Sequence, residues 1–157
     1  VGAGPKWQVV NEAVSKDNLT NVTLLPWQPE ESLPESLATA DIGLVALEES
    51  FRGLAVPSKT FYMMAAGAAI LCISGKPSDL QQVVEKTKAG ALLEPADVKG
   101  MVDRLKALQW DDAILNAARS NAREVACALF ERRNKTREVL QVTCASRTNT
   151  THERLGV

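Results

Sequence analysis

The sequence has little of the chemistry that histidine and cysteine provide. Its one histidine, His152, lies in a polar C-terminal segment, so no histidine-based acid, base or nucleophile constellation is available. Cys72, Cys127 and Cys144 are odd in number and widely spaced, which favours reduced thiols over a disulfide framework. Neither Cys-x-x-Cys nor His-x-x-x-His spacing occurs, which argues against a structural zinc site.

Charge imbalance and long apolar runs are also lacking. The formal net charge of the 157 residues is −1, which argues against a general nucleic-acid-binding protein. No apolar run reaches the roughly 18 residues that indicate a membrane-spanning helix. The chain opens on Val-Gly-Ala-Gly-Pro, without an initiator Met or a signal-peptide pattern. We therefore expect a piece of a longer, cytoplasmic protein.

The chain alternates short apolar runs with helical patterns. This alternation predicts an α/β fold with parallel strands joined by crossover helices. A further strand is expected before Gly2, and the polar tail 143–157 is expected to be disordered or to cross another element. Strands are predicted at 22–27, 42–47, 68–74 and 91–93, and helices after Pro5, at 30–40, 57–67, 78–90, from 98 to about 108, and at 111–142.

Side-chain spacing predicts which helix faces are buried and where helices begin. Ser78 with Gln81 forms a capping-box pattern, and Asp97 is a predicted N-cap. Apolar stripes are predicted to face a core; they comprise Trp7, Val10 and Val14, then Val98, Met101, Val102, Leu105 and Leu108, and finally Ile114, Ala118, Ala122, Val125 and Leu129.

The segment 53–67 predicts an anion site. Pro57 favours an extended Val56 and suits a helix start, and Gly67 suits a helix end. The free N–H groups and positive dipole end of such a helix attract anions, and Lys59 adds a full charge. The alternative is that Lys59 is an ordinary solvated lysine.

The predicted site lies on an edge that collects several loops. Ligands of parallel sheets bind at the carboxyl ends of the strands. The loops 2–5, 26–28, 48–59, 75–78 and 94–97 all follow predicted strands, so most of the Gly, Pro and polar loop residues are expected at one edge.

Five fragments occur in a fixed order along the chain: Gly2-x-Gly4-Pro5, Asn21–Leu25, Leu37–Leu44, Pro57–Gly67 and Gly90–Pro95. In this order they resemble retaining glycosyltransferases of family 4. The resemblance covers about residues 1–130 and is to the nucleotide-sugar-binding, C-terminal half of the GT-B fold, a three-layer α/β/α Rossmann-like domain, here residues 1–142. The Pro-Ser-Lys variant is most similar to the branch that builds bacterial surface polysaccharides, including colanic-acid-type enzymes.

The resemblance implies a nucleoside-diphosphate-sugar donor and a glycan or lipid-linked acceptor, with retention of configuration. No cofactor or metal ion is expected, since no Asp-x-Asp motif is present. The partner N-terminal GT-B domain, which binds the acceptor, would lie outside this chain. The candidate donor-contacting residues are Gly2, Gly4, Trp27, Gly53, Pro57, Ser58, Lys59, Thr60 and Tyr62.

The family's two glutamates do not carry over. Counting back from Ala65-Ala66-Gly67 places them at Leu54 and Tyr62, neither of which is acidic. Glu48 and Glu49 are nearby candidates, and no catalytic residue is assigned. For Tyr62 we favour packing under the loop over ligand contact. Trp27 either stacks on a base or is an exposed aromatic on a turn.

Two other functions remain as alternatives. Gly2 and Gly4 partly match a dinucleotide fingerprint, which would suit an NAD(P)-binding oxidoreductase fragment, although the third Gly is missing. A non-catalytic flavodoxin-like interaction module is the other alternative. A basic cluster at Arg132, Arg133, Lys135 and Arg137 is read as a solvated face, with peripheral contact to anionic lipid headgroups as the minority interpretation.

Overall fold

The computed structural model describes residues 2–51, 56–129 and 136–137. The chain divides into two compact units, Val1–Ser36 and Leu37–Val157. Gly53, Leu54, the tail 143–157 and most of the basic cluster lie outside the described residues, so the predictions for them stay predictions. No helix in the described part of the chain is both long and apolar enough to cross a membrane.

The first unit contains helix α1, Trp7–Lys16, and a 3-10 turn, Glu30–Ser32, that leads into α2, Leu33–Ala38. The strand predicted at 22–27 is wrong, because this segment forms no β-ladder. A strand requires a hydrogen-bonded neighbour. In the described residues, the backbone bonds of this segment are a local turn bond from the Val22 N–H to the Leu19 carbonyl at 3.4 Å and one bond from the Gly2 N–H to the Leu25 carbonyl at 2.9 Å.

The buried face predicted for α1 is also wrong. None of its residues is buried, and both Trp7 and Val10 are exposed. The spacing of the apolar residues is helical, as expected, but a stripe becomes a core face only when another element covers it. No described element buries this one.

The second unit is built on three parallel strands, β1, Ile42–Ala46, β2, Ala69–Ile73, and β3, Gly90–Leu93, in the spatial order β1-β2-β3. Val45 pairs with Cys72, and Cys72 with Leu92. The central strand β2 is buried almost throughout, as its continuous apolar sequence predicts. The prediction of a parallel sheet is confirmed for these three runs.

Two crossover helices pack on one face of this sheet. Helix α3, Ser58–Ala65, joins β1 to β2, and α4, Asp79–Thr87, joins β2 to β3. Because both crossovers step in the same direction across the sheet, they lie on the same side. The core is accordingly one cluster, which includes Val45, Met64, Ile70, Cys72, Leu80 and Val84.

Helix α6, Asp112–Leu129, completes this cluster through small residues. Ala118, Ala122 and Ala126 are buried at a four-residue spacing, which lets α6 approach the other elements closely. Ile114 and Leu129, at the two ends of the predicted stripe, are exposed instead. The prediction for α6 therefore holds in the middle of the helix and is wrong at its ends.

Helix α5, Val98–Trp110, departs furthest from its predicted burial. Its predicted N-cap is confirmed, but Val98 is 69% exposed, and Val102 and Leu105 are exposed as well. Leu108 is the buried residue of this helix. Even so, the parallel sheet and its flanking helices confirm the predicted Rossmann-like α/β class.

Candidate functional site

The three strands end in register at one edge of the sheet. Ala46 pairs with Ile73, and Ile73 with Leu93. Beyond these pairs, the Leu47 N–H donates to the Ile73 carbonyl at 2.9 Å, and the Ser74 N–H to the Leu93 carbonyl at 3.2 Å. The loops that follow the strands therefore leave from adjacent points, and each leads to the N-terminus of a helix.

Two of these helices are capped by the protein itself. The Ser78 hydroxyl accepts a hydrogen bond from the Gln81 N–H at 3.1 Å at the start of α4. The Asp97 carboxylate accepts one from the Gly100 N–H at 2.9 Å at the start of α5. The capping box predicted at Ser78 is only half formed, because the Gln81 side chain donates forward to Glu85 instead of reaching back. These caps satisfy donors that a ligand would otherwise contact.

The start of α3 is different. Its N-cap residue is Pro57, which has no side-chain acceptor, and no side-chain cap bond is found here among the described residues. The Thr60 N–H already donates to the Pro57 carbonyl at 3.0 Å, so that amide is occupied. The N–H groups of Ser58 and Lys59 bond to no residue that the structure describes. These two amides are the ones left for a ligand.

The side chains at this helix start divide into exposed and buried ones. Ser58 and Lys59 are exposed, and Lys59 forms no ion pair within the described ranges. Thr60 is fully buried, and its hydroxyl has no hydrogen-bond partner among the residues that the structure describes. A buried hydroxyl without a partner lowers the stability of the folded protein by about 1–3 kcal/mol. A hydrogen bond to Thr60, next to the helix start, would therefore be favourable.

Tyr62 corrects the sequence-based interpretation. We expected it to pack under the loop, but it is 60% exposed. Residue 62 lies one turn beyond the helix start, on the opposite side from the two buried residues of α3, Thr60 and Met64. Its ring is therefore accessible from solvent.

Three of the candidate residues, Gly2, Gly4 and Trp27, belong to the first compact unit. Gly2 has a φ of +129°, a conformation that favours glycine, and a Cβ placed there would lie 4.0 Å from the Trp27 ring. The Gly4 carbonyl accepts from the Trp7 N–H at 2.9 Å, next to the start of α1. Trp27 is 82% exposed, which fits both of its interpretations.

An ion pair at the same sheet edge was missed from the sequence. Lys76, in the loop after β2, lies 3.2 Å from the carboxylate of Glu94, which follows β3. The signal was present, because each residue lies within two positions of the end of a predicted strand and the carboxyl ends of neighbouring strands meet. Sequence reasoning placed the two loops at this edge but did not single out the two side chains.

The acidic residues near the loop form no evident metal centre. Glu49 begins a 3-10 turn, Glu49–Phe51, shortly after β1, and both Glu48 and Glu49 have interaction partners. Across residues 2–51, 56–129 and 136–137, no three His, Cys, Asp or Glu side chains group closely enough to hold a metal ion. Neither Glu48 nor Glu49 gains a catalytic role from this geometry.

Comparison with known proteins gives the chain a family. The model of the family described as glycosyl transferases group 1 matches residues 1–111. A protein of Pseudomonas aeruginosa named "Probable glycosyltransferase WbjE" is 39% identical over 61 residues, which are 39% of this chain and 15% of that protein. The chain thus corresponds to a small part of that relative. Because the family model covers well over half of the residues, this chain belongs to the glycosyl transferases group 1 family.

Proposed function

We propose that this chain is the donor-binding half of a GT-B glycosyltransferase. The enzyme transfers a hexose-type sugar from a nucleoside-diphosphate-sugar to a glycan or lipid-linked acceptor, with retention, in polysaccharide or glycolipid biosynthesis. Family membership supports glycosyl transfer, and the ordered family-4 fragments, with their Pro-Ser-Lys variant, favour this class of donor and pathway. The proposal places the enzyme in the cytoplasm, with peripheral membrane contact where the acceptor is lipid-linked.

The observation that carries the proposal is the uncapped start of α3. Two helices at the same edge use protein side chains as caps, whereas α3 leaves the amides of Ser58 and Lys59 without a partner among the described residues. A diphosphate is a ligand suited to such a position, because its oxygens accept from backbone N–H groups and its charge is favoured by the helix dipole. The ammonium of Lys59 adds a full positive charge at the same point.

These groups suit the charge that develops during sugar transfer. As the bond between the anomeric carbon and the diphosphate oxygen breaks, the electron pair stays with the diphosphate, which becomes more negative. Fixed N–H donors and a lysine stabilise that charge without reorganising water. The Thr60 hydroxyl can form a hydrogen bond if an oxygen of the nucleoside-diphosphate-sugar or an ordered water reaches it.

Two parts of the reaction are not assigned to this chain: the family's acidic contacts and the acceptor-binding site. The family's acidic contacts fall on Leu54 and Tyr62, so they are not assigned to this chain. The partner N-terminal domain would bind the acceptor and supply much of the chemistry. We therefore expect the 157-residue chain alone to bind the donor nucleotide without transferring sugar.

A thermal-shift series tests this function. UDP, GDP, ADP and NADH are added at millimolar concentration to the 157-residue chain and to the longer parent protein. At least one nucleoside diphosphate should raise the unfolding temperature, because a ligand stabilises the folded state by RT ln(1 + [L]/Kd). Stabilisation of the parent protein by NADH alone, or by none of the four, would contradict the proposal.

A further inference from the structure

The loop between β2 and α4, residues 74–78, is tied at both of its ends. The hydroxyls of Ser74 and Ser78 lie 2.9 Å apart, and both residues are buried. Ser78 also caps α4. This bond pins the loop as it leaves the sheet, and the cap removes the start of α4 as an anion site. The charged side chain that the loop presents is Lys76.

Lys76 is held at the sheet edge by its ion pair. Its ammonium lies 3.2 Å from the Glu94 carboxylate, and the two side chains are 60% and 48% exposed. An ion pair this exposed is weak, so Glu94 restricts where the ammonium lies without preventing it from contacting a second anion. The pair spans the ends of β2 and β3, which are neighbouring strands.

Lys76 and Lys59 lie at the same edge of the sheet. Helix α3 packs against β1 and β2 and returns the chain to the start of β2, so its first turn lies at the carboxyl ends of the strands. The loop that bears Lys76 leaves the carboxyl end of β2. Adjacent strands are separated by about 4.8 Å, and a lysine side chain is longer than that spacing. The two ammonium groups can therefore converge on one ligand that carries two phosphoryl groups.

We propose that Lys76 is a second cationic contact for the donor diphosphate and that Glu94 is its positioning residue. This inference rests on the proposed function and deepens it. Lys59, with the amides of Ser58 and Lys59, binds the phosphoryl group next to the ribose, and Lys76 binds the terminal phosphoryl group, which a monophosphate lacks. The net charge facing the diphosphate is then positive even with the Glu94 carboxylate present.

The test is calorimetric titration of the full chain, using whichever of UDP, GDP or ADP binds, together with the matching nucleoside monophosphate. Lys76→Met should raise the Kd for the diphosphate about tenfold, the size of one charged hydrogen bond, and change that for the monophosphate much less. Lys76→Arg should restore most of the affinity. Lys86→Met is the matched control, because Lys86 is on α4 and bonds to the exposed Gln82 side chain; it should change neither Kd.

Glu94→Gln identifies the positioning role. It should raise the Kd for the diphosphate about threefold in the native background and leave the Kd unchanged when Lys76→Met is already present. The reason is that the effects of two substitutions are not additive when one residue acts through the other. If Lys59→Ala weakens diphosphate binding while Lys76→Met does not, the inference is overturned and the proposed function stands. Equal weakening for the monophosphate and the diphosphate also overturns it. A chain and a parent protein that bind no diphosphate overturn both.

Discussion

The guanidinium of Arg119 donates a hydrogen bond from Nε to the carbonyl oxygen of Gly67, at 2.9 Å. Gly67 follows Ala66, the C-cap of α3, and has a φ of +82°, a conformation that favours glycine. The same guanidinium donates from Nη1 to the Asp41 carboxylate at 2.7 Å, just before β1. Arg119 therefore fixes the end of α3 opposite to the one that carries Lys59, and it does so from α6.

Removing Arg119 should cost more stability than removing its acidic partner. Arg119→Ala leaves a part-buried carbonyl without its donor, which should lower the free energy of unfolding by about 1–2 kcal/mol. Asp41→Asn removes an exposed ion pair and should cost less than about 1 kcal/mol. Urea denaturation of the two variants checks this order. Equal losses would mean that the ion pair, not the bond to Gly67, carries the stabilisation.

Gly90 is expected to be intolerant of any side chain. A Cβ at this position would clash with the carbonyl oxygen of Ile70, which is backbone of the neighbouring strand and cannot move aside cheaply. Gly90→Ala should therefore cost more than the roughly 1–3 kcal/mol typical of overpacking.

Gly4→Ala is the matched control for this substitution. A Cβ at Gly4 would meet nothing within 4 Å, so the free energy of unfolding should change little. Thermal or urea unfolding of both variants makes the comparison. A Gly90→Ala protein as stable as the Gly4→Ala protein would show that β2 and β3 do not approach as described.

Cys72 should make stability depend on pH in the alkaline range. Burial raises the pKa of this thiol above its ordinary value of 9.0, and a hydrogen bond with Ser74 opposes the shift. The unfolded chain then loses the thiol proton at a lower pH than the folded protein does. Stability contributed by this group is full below about pH 9 and falls as the pH rises through the raised folded value.

Urea titrations at several pH values test this dependence. The free energy of unfolding should decline more steeply above pH 9 in the native protein than in Cys72→Ala, which has no thiol to titrate at this position. Identical slopes in the two proteins would exclude Cys72 as the source.

The strands of the second unit could be predicted because each is an apolar run closed by turn residues. The strand predicted at 42–47 is observed at Ile42–Ala46, and the strand predicted at 68–74 is observed at Ala69–Ile73. The run 22–27 is also largely apolar but forms no ladder in the described structure. Apolar sequence shows that a segment can be a strand, whereas the hydrogen-bonded neighbour decides whether it is one. That neighbour is not encoded in the segment itself.

At the candidate site, the bounds of α3 could be predicted from the sequence, whereas the burial and pairing of the side chains could not. Pro57 and Gly67 mark the start and end of α3 through local conformational preference, and both boundaries were read from the sequence. The burial of Thr60, the exposure of Tyr62 and the pairing of Lys76 with Glu94 depend on how α3 and two loops lie on the sheet. Such tertiary relationships have no local signature.

The most direct test of the central claim, a diphosphate bound at the start of α3, is the affinity of the Lys59→Ala variant. Calorimetry of the parent protein with its nucleoside diphosphate should show a loss of about 1–3 kcal/mol, as expected for one charged hydrogen bond. Lys99→Ala is the control; it removes an exposed lysine paired with Asp103 on α5 and should leave the affinity unchanged. A Lys59→Ala protein that binds the diphosphate as tightly as the native protein would contradict the claim.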